Sequence, residues 1–298
     1  MVKISIVYVA RDDRYGDDYN VVDFPSVGNR DKDYFKNNFT IKYNNIERIK
    51  FALENNKRLM DKYFIDDYEI IFVDWNPINN EYLLKNSKLE ILKDEKIKNI
   101  IVTSETIEKR GLNKNGFYEY FGKNVGIRNS IGNYVLISNP DDVFTEELVK
   151  EMKEKVKVKD KKEYYRCEWR LDVDHNLKEI NRGASFPKNG KIEDEIIGTP
   201  ASGDFTLASK DAFIEIGGYL ERISNGNESY CDGRLLIKMY RNGYVGIKLN
   251  GDLMHLDHKK HDRSGAAKDY WQDDYNNEEN WGFNDFEIEE LEKNIYRL

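Results

Sequence analysis

Three of the chain's four histidines fall within "MHLDHKKHD" (254–262). With Asp257 among them, His255, His258 and His261 concentrate groups that ligate divalent metals or contact phosphate. No cysteine pair accompanies them, so the spacing is not that of a structural zinc finger. A second concentration follows the apolar run of "YVLISNPDDVF" (134–144), which ends in Asn139, Pro140, Asp141 and Asp142. Hard divalent cations take carboxylate and amide oxygens, and Mg2+ or Mn2+ commonly keeps only one or two protein carboxylates beside phosphate and water. Asn139 and Asp141, two apart on an irregular loop, can point together at one ion. The competing reading is an Asx-Pro turn before the helix start "TEEL" (145–148).

Other candidates are weaker alone. "FGKNVGIRNSIGNY" (121–134) carries Lys123 and Arg128 on a Gly-punctuated helix. "GTPASGDFTLASKDAFIEIGGYLE" (198–221) is a Gly- and small-residue-rich approach suited to a loop that passes close to a ligand. Asp204 within it would be costly to bury without a partner. "NESYCDGRLLIKM" (227–239) places Asp232 at the start of an apolar helix, where N-capping competes with chemistry.

The elements that must position these residues alternate. "KISIVYV" (3–9), "YEIIFVDW" (68–75), "KIKNIIVT" (96–103) and "YVLIS" (134–138) read as strands, with helices at 44–64 and around 118–131. That order predicts an α/β fold with a mostly parallel central sheet and helices on both faces. Such sheets bind ligands beyond the carboxyl ends of their strands, where the strand order reverses. Arg11, Asp12 and Asp13, then Asp74, then Asn139 and Asp141 would share that edge. Several acids there repel one another unless a cation lies between them, as a metal carrying a phosphorylated ligand would. Further on, "KEYYRCEWRLDVD" (162–174) has strand character, and 203–219 reads as a strand, then a helix capped by Ser209 and ended by Gly217 and Gly218. A helix over 231–244 and a strand over 245–251 follow. Phe283, Phe286, Ile288 and Leu291 suggest a docked helix in a tail from about residue 265.

Composition excludes several classes. With 39% hydrophobic residues the 298-residue chain can build a sizeable core. A formal charge of −8 suits non-specific nucleic-acid binding poorly, and the Lys-rich run at 150–162 reads as a solvated helix end. Cys167 and Cys231 are too few for a disulfide framework. "MVKISIVYVA" reads as a first core strand, not a signal peptide, and no run approaches the ~18 apolar residues of a membrane span. The expectation is a reduced, cytoplasmic protein.

Taken in order, "ISIVYVARDD", "IIFVDWNP", "KNVGIRNSIGNY", "NPDD", "GDF…GGYLE", "YCDGRLL" and "MHLDH" resemble the GT-A glycosyltransferases, particularly their family 2-like group. The resemblance runs from about residue 3 to 262. It implies a single Rossmann-like GT-A domain over 1–264, with a nucleotide-sugar-binding half to about 145, an acceptor-binding half over 146–264, and a docked helical tail over 265–298. It also implies a nucleotide-sugar donor, most often UDP-linked, and a hydroxyl acceptor. Arg11, Asp13 and Asp74 would hold base and ribose, with Lys123 and Asn139 also on the donor. Asn139, Asp141 and His255 would surround Mn2+ or Mg2+ on the diphosphate. Asp204, Trp75 and His258 would line the substrate, and Asp232 would serve as base for an inverting displacement. The chain departs from the family in Asn139, where Asp is usual, in Lys123 for Arg, and in Cys231 before Asp232. A non-catalytic nucleotide- or sugar-binding protein on the same fold is the main alternative. A nucleotidyltransferase would open with a Gly-rich phosphate loop that "VARDDRYGDD" lacks.

Overall fold

The computed structural model describes residues 3–11, 45–77, 89–114, 116–157, 162–174, 176–185, 203–221, 231–258 and 277–298. Four parallel strands form its centre: β1 (Ile4–Ala10), β2 (Tyr68–Trp75), β3 (Ile97–Val102) and β4 (Tyr134–Ser138), in the spatial order β3-β2-β1-β4. The chain builds outward from β1 to β3, then returns to β1's other side for β4. The order therefore reverses between β1 and β4, which is where open α/β sheets form a ligand crevice.

Beyond β4 the sheet continues with β9 (Phe205–Ser209), antiparallel to both β4 and β6 (Glu163–Arg166), and with β10 (Val245–Lys248), parallel to β6. Beyond β3 come β13 (Ile295–Arg297), parallel to it, and β12 (Glu289–Glu292), antiparallel to β13. The nine-stranded sheet is apolar on both faces, as parallel strands under helices must be. On β1, Ile4, Ile6 and Tyr8 face α1 (Asn45–Tyr63) and α4 (Glu146–Lys155). Val7 and Val9 face the side covered by α2 (Ser104–Lys109), α3 (Glu119–Asn129), α5 (Lys210–Ile216) and α6 (Cys231–Arg241). Gly122 and Gly126 let α3 lie directly on β1, because a Cβ at either would collide with Val9 or Val7.

A second sheet has the order β5-β11-β7-β8: β5 (Asp142–Phe144), β11 (Leu253–Leu256), β7 (Trp169–Val173) and β8 (Glu179–Ser185). The expected single stretch at 162–174 is split between the sheets, β6 in the large one and β7 in the small one. Residues 139–141 link β4 to β5 and so carry the chain from one sheet to the other.

The tail differs from the expected helix. Trp281–Phe283 makes a single 3-10 turn, and β12 and β13 form a hairpin around Asn294, whose φ of 64° is one that asparagine tolerates. The open edge of β3 supplies backbone partners that a helix could not use. Ahead of the hairpin, Asn277 Nδ2 donates to Gly217 O at 2.7 Å, and Glu221 accepts from Asn124 Nδ2 at 2.8 Å and Gly282 N at 2.7 Å. Gly218, at φ 67°, has no room for a Cβ, which would meet Asn124 Oδ1 at 2.5 Å and Trp281 at 2.6 Å. Gly218→Ala is expected to destabilise the chain by more than about 1 kcal/mol, read as a lower midpoint in urea. An unchanged midpoint would mean that this docking is dispensable.

Candidate functional site

β11 aligns His255 with Asp142 of β5 on one side and with Asp172 of β7 on the other. Residues level with one another on neighbouring strands share a face, so these three side chains form a row. The alternate residues, Leu171, Val173 and Leu256, pack with Ala52 and Val143 on the opposite face. His258 lies two residues beyond β11 and Asp141 immediately before β5.

Asp141, His255 and His258 meet. Oδ2 of Asp141 is 3.0 Å from Nε2 of His258 and 3.7 Å from Nε2 of His255, and the two rings are 5.1 Å apart. One ligand atom from each lies within 4.8 Å of the others. All three residues are buried. Burial works against a charge on Asp141, but the hydrogen bond from His258 and the charge of Arg48 oppose it, and the carboxyl lies well below its ordinary value. Burial, reinforced by Arg170, pushes His255 down to about 4, so at neutral pH it is an uncharged ring able to ligate. Two imidazoles and a carboxylate on the crevice edge can hold a divalent metal.

The expected ligand set differs in one member. Asn139 turns its amide away: its Nδ2 donates to Asp204 Oδ1 at 2.5 Å, and its Oδ1 accepts from Lys123 Nζ at 3.0 Å. A buried ammonium needs several acceptors, and Lys123 takes Asn139 together with Gly203 O at 2.9 Å and Glu119. His258, expected on the substrate side, occupies the third place in the cluster.

Lys123 also ties in Asp232. Gly203, whose carbonyl accepts from Lys123, donates from its N to Asp232 Oδ2 at 3.0 Å. Asp204 joins the same network and is only 15% exposed. Burial pushes its carboxyl up, but the charges of Arg170 and Lys123 outweigh that and leave it lowered. Arg11 and Asp74 stand at the same sheet edge, since Ala10 pairs with Asp74, and the Arg11 guanidinium lies 5.5 Å from the Phe117 ring centre. Trp75 does not line this site. It is fully buried, with its indole N donating to Gly116 O at 3.2 Å and its ring against Tyr118, Phe121 and Phe283. Asp12, Asp13 and His261 lie outside the described residues.

Two residues escaped the sequence reading. Arg170 pairs with Asp204 through Nε and with Asp172 through Nη1 at 2.6 Å, so a built-in cation neutralises part of the acidic edge. The only signal was a pair of opposite charges two apart in an otherwise apolar strand.

Asp142 behaves unlike Asp141. It is fully buried, accepts from Asn139 N at 3.1 Å, and is pushed well above the ordinary carboxylate value by burial and then by Asp204 and Asp141. A carboxyl raised on folding is stabilising only below its unfolded value of about 3.9, and that stability is lost as pH rises through the folded value. Asp142→Asn keeps an acceptor and carries no such cost. Its melting temperature at pH 7 is expected to equal or exceed the parent's, with the difference vanishing near pH 4. A clear loss at pH 7 would show that the ionised form is needed.

No family model matches the chain, and no curated protein is similar to it. Among solved structures, the mannosyltransferase PcManGT from Pyrobaculum calidifontis, in complex with GDP-Man and Mn2+, is similar at 11% identity and a TM-score of 0.47. The similarity covers 85% of this chain and 56% of that one, so the chain spans just over half of that protein's length. Among the described residues, no helix is long and apolar enough to cross a membrane.

Proposed function

We propose that the chain is a metal-dependent glycosyltransferase of the GT-A type, family 2-like, that moves a sugar from a nucleotide-sugar, a UDP-sugar first, to an acceptor hydroxyl. The observation that carries this is the cluster of Asp141, His255 and His258 at the switch point, with Lys123 and Asp232 joined through Gly203 beside it. Asp141, His255 and His258 would hold the ion, which would offset the charge developing on the diphosphate leaving group. Two ring nitrogens in the set favour Mn2+ over Mg2+.

In this reading Arg11, Asp74 and, outside the described residues, Asp13 bind base and ribose. Lys123 adds positive charge near the phosphates while Asn139 keeps it and Asp204 in place. Asp232 takes the acceptor's proton, giving inversion. Asp204 borders the acceptor side. The buried free cysteines Cys167 and Cys231 fit a reducing compartment, the cytoplasm. A non-catalytic binding protein remains the second reading, because Asp232 already accepts from Gly203 N.

The test is a screen of UDP-, GDP-, dTDP- and CMP-sugars by thermal shift and donor hydrolysis, each with Mn2+ and with EDTA. Metal-dependent stabilisation by one donor, with slow release of its sugar, is expected. Stabilisation without hydrolysis would favour the binding protein. No shift by any donor in either condition would end the nucleotide-sugar reading.

A further inference from the structure

Behind the metal-competent cluster lies a carboxylate that none of these roles uses. Asp172 is 2% exposed on β7 and level with His255 on the parallel neighbour β11. Its Oδ1 is 3.3 Å from Nδ1 of His255, whose other ring nitrogen, Nε2, faces Asp141 at 3.7 Å. Arg170, two residues back and so on the same face, reaches the same Oδ1 at 2.6 Å and is itself held by Asp204. The contact at Nδ1 falls just short of strict hydrogen-bond geometry, and this buried nitrogen has no other acceptor among the described residues.

A neutral imidazole carries its proton on one nitrogen and a lone pair on the other. Only the lone pair can ligate, so whatever holds the proton decides which nitrogen does. Carboxylates face both nitrogens, but Asp172 lies nearer to Nδ1, at 3.3 Å, than Asp141 does to Nε2, at 3.7 Å. The proton is therefore favoured on Nδ1, and Nε2 is left to ligate on the side of Asp141 and His258. Asp172 also makes the ring a stronger donor. Arg170 fixes Asp172 in turn, because its fork is engaged on two sides and its direction is set.

We propose that Asp172 is the positioning residue of this centre: gripped by Arg170, it sets His255 as the Nδ1–H tautomer, with Nε2 turned toward a divalent ion shared with Asp141 and His258. The ion is that of the function proposed above, and the proposal rests on that reading. A merely structural Asp172, present as the counter-ion of Arg170, is the competing account.

Two measurements on the full chain separate them. Two-bond 1H–15N spectra of the 15N-labelled, chelator-treated protein at neutral pH read the tautomer of each of the four histidines, and His255→Gln identifies the signal by its loss. An Nδ1-protonated His255 is expected; an Nε2-protonated ring overturns the proposal. This reading needs no variant at Asp172, so it stands even if such variants fold poorly. In Mn2+ titrations followed by the free-ion electron paramagnetic resonance signal, Asp172→Asn is expected to bind about 10–100-fold more weakly than the parent. With Co2+ in place of Mn2+, its ligand-field spectrum should change. A folded Asp172→Asn variant that is less stable but binds Mn2+ as tightly as the parent overturns the proposal. A parent chain that binds no Mn2+ overturns the underlying metal reading and this proposal with it. An Nε2–H ring beside intact Mn2+ binding removes only the role of Asp172.

Discussion

Asp141→Asn should cost the chain its divalent metal, weakening Mn2+ binding by more than the ~10–100-fold typical of losing an outer-shell partner. Asp141 is the sole carboxylate in the cluster, and its Oδ2 is the atom that both Nε2 groups face. Its carboxyl is held below the ordinary value despite burial, with the His258 hydrogen bond and the Arg48 charge beside it. The amide keeps the shape but removes the charge, so the metal-induced shift in melting temperature is the diagnostic quantity, not the melting temperature in EDTA. An ion at 100 times its dissociation constant stabilises the folded state by about 2.7 kcal/mol. For a chain of this size that is about 4 °C. The parent should show such a shift with Mn2+ and the variant almost none, with any donor hydrolysis lost in parallel. Equal shifts in both would place the ion elsewhere.

Much of this site could be read before the fold was known, for a simple reason. A chain that leaves a buried strand through Asn139 and Asp141, instead of a plain turn, exposes groups whose burial would be costly. The strand itself was clear because "YVLIS" is uniformly apolar, and β4 spans those residues. Clustered histidines were equally visible. Missed was the small sheet that aligns them: β5, with three residues, and β11, with four, are too short for periodicity to declare. His255 was therefore expected after a strand and lies within one. Trp75 shows the opposite error. An aromatic beside a strand-end acid looks like a ligand platform, yet alternation along β2 sends it under α3, where Gly122 leaves space for its ring. From the sequence alone Asn139 reads as a ligand because its oxygen suits a metal. Its engagement by Lys123 and Asp204 depends on contacts 16 and 65 residues away in sequence, which no local pattern reports.

Arg170→Met is expected to be the most destabilising of these changes, costing about 3–5 kcal/mol at neutral pH, the range for removing one partner of a buried ion pair. Methionine fills similar volume, so the loss is chiefly electrostatic. It would leave Asp204 and Asp172 without their shared guanidinium beside Asp141 and Asp142. The pH dependence identifies the cause. In the parent, burial pushes the Asp204 carboxyl up but Arg170, the largest opposing influence, helps bring it below its ordinary value. That lowered carboxyl contributes stability above its unfolded value of about 3.9, and the contribution is lost as pH falls through the folded value. In the variant, burial and the neighbouring acids raise the same carboxyl instead, and a raised carboxyl loses stability as pH climbs past about 4. The gap between parent and variant in urea unfolding should therefore be widest near pH 7 and narrow steadily toward pH 4. Arg170→Lys restores the charge without the two-sided fork and should recover only part of it. A gap independent of pH would mean that Arg170 acts by packing and not by neutralising the acids of the crevice edge.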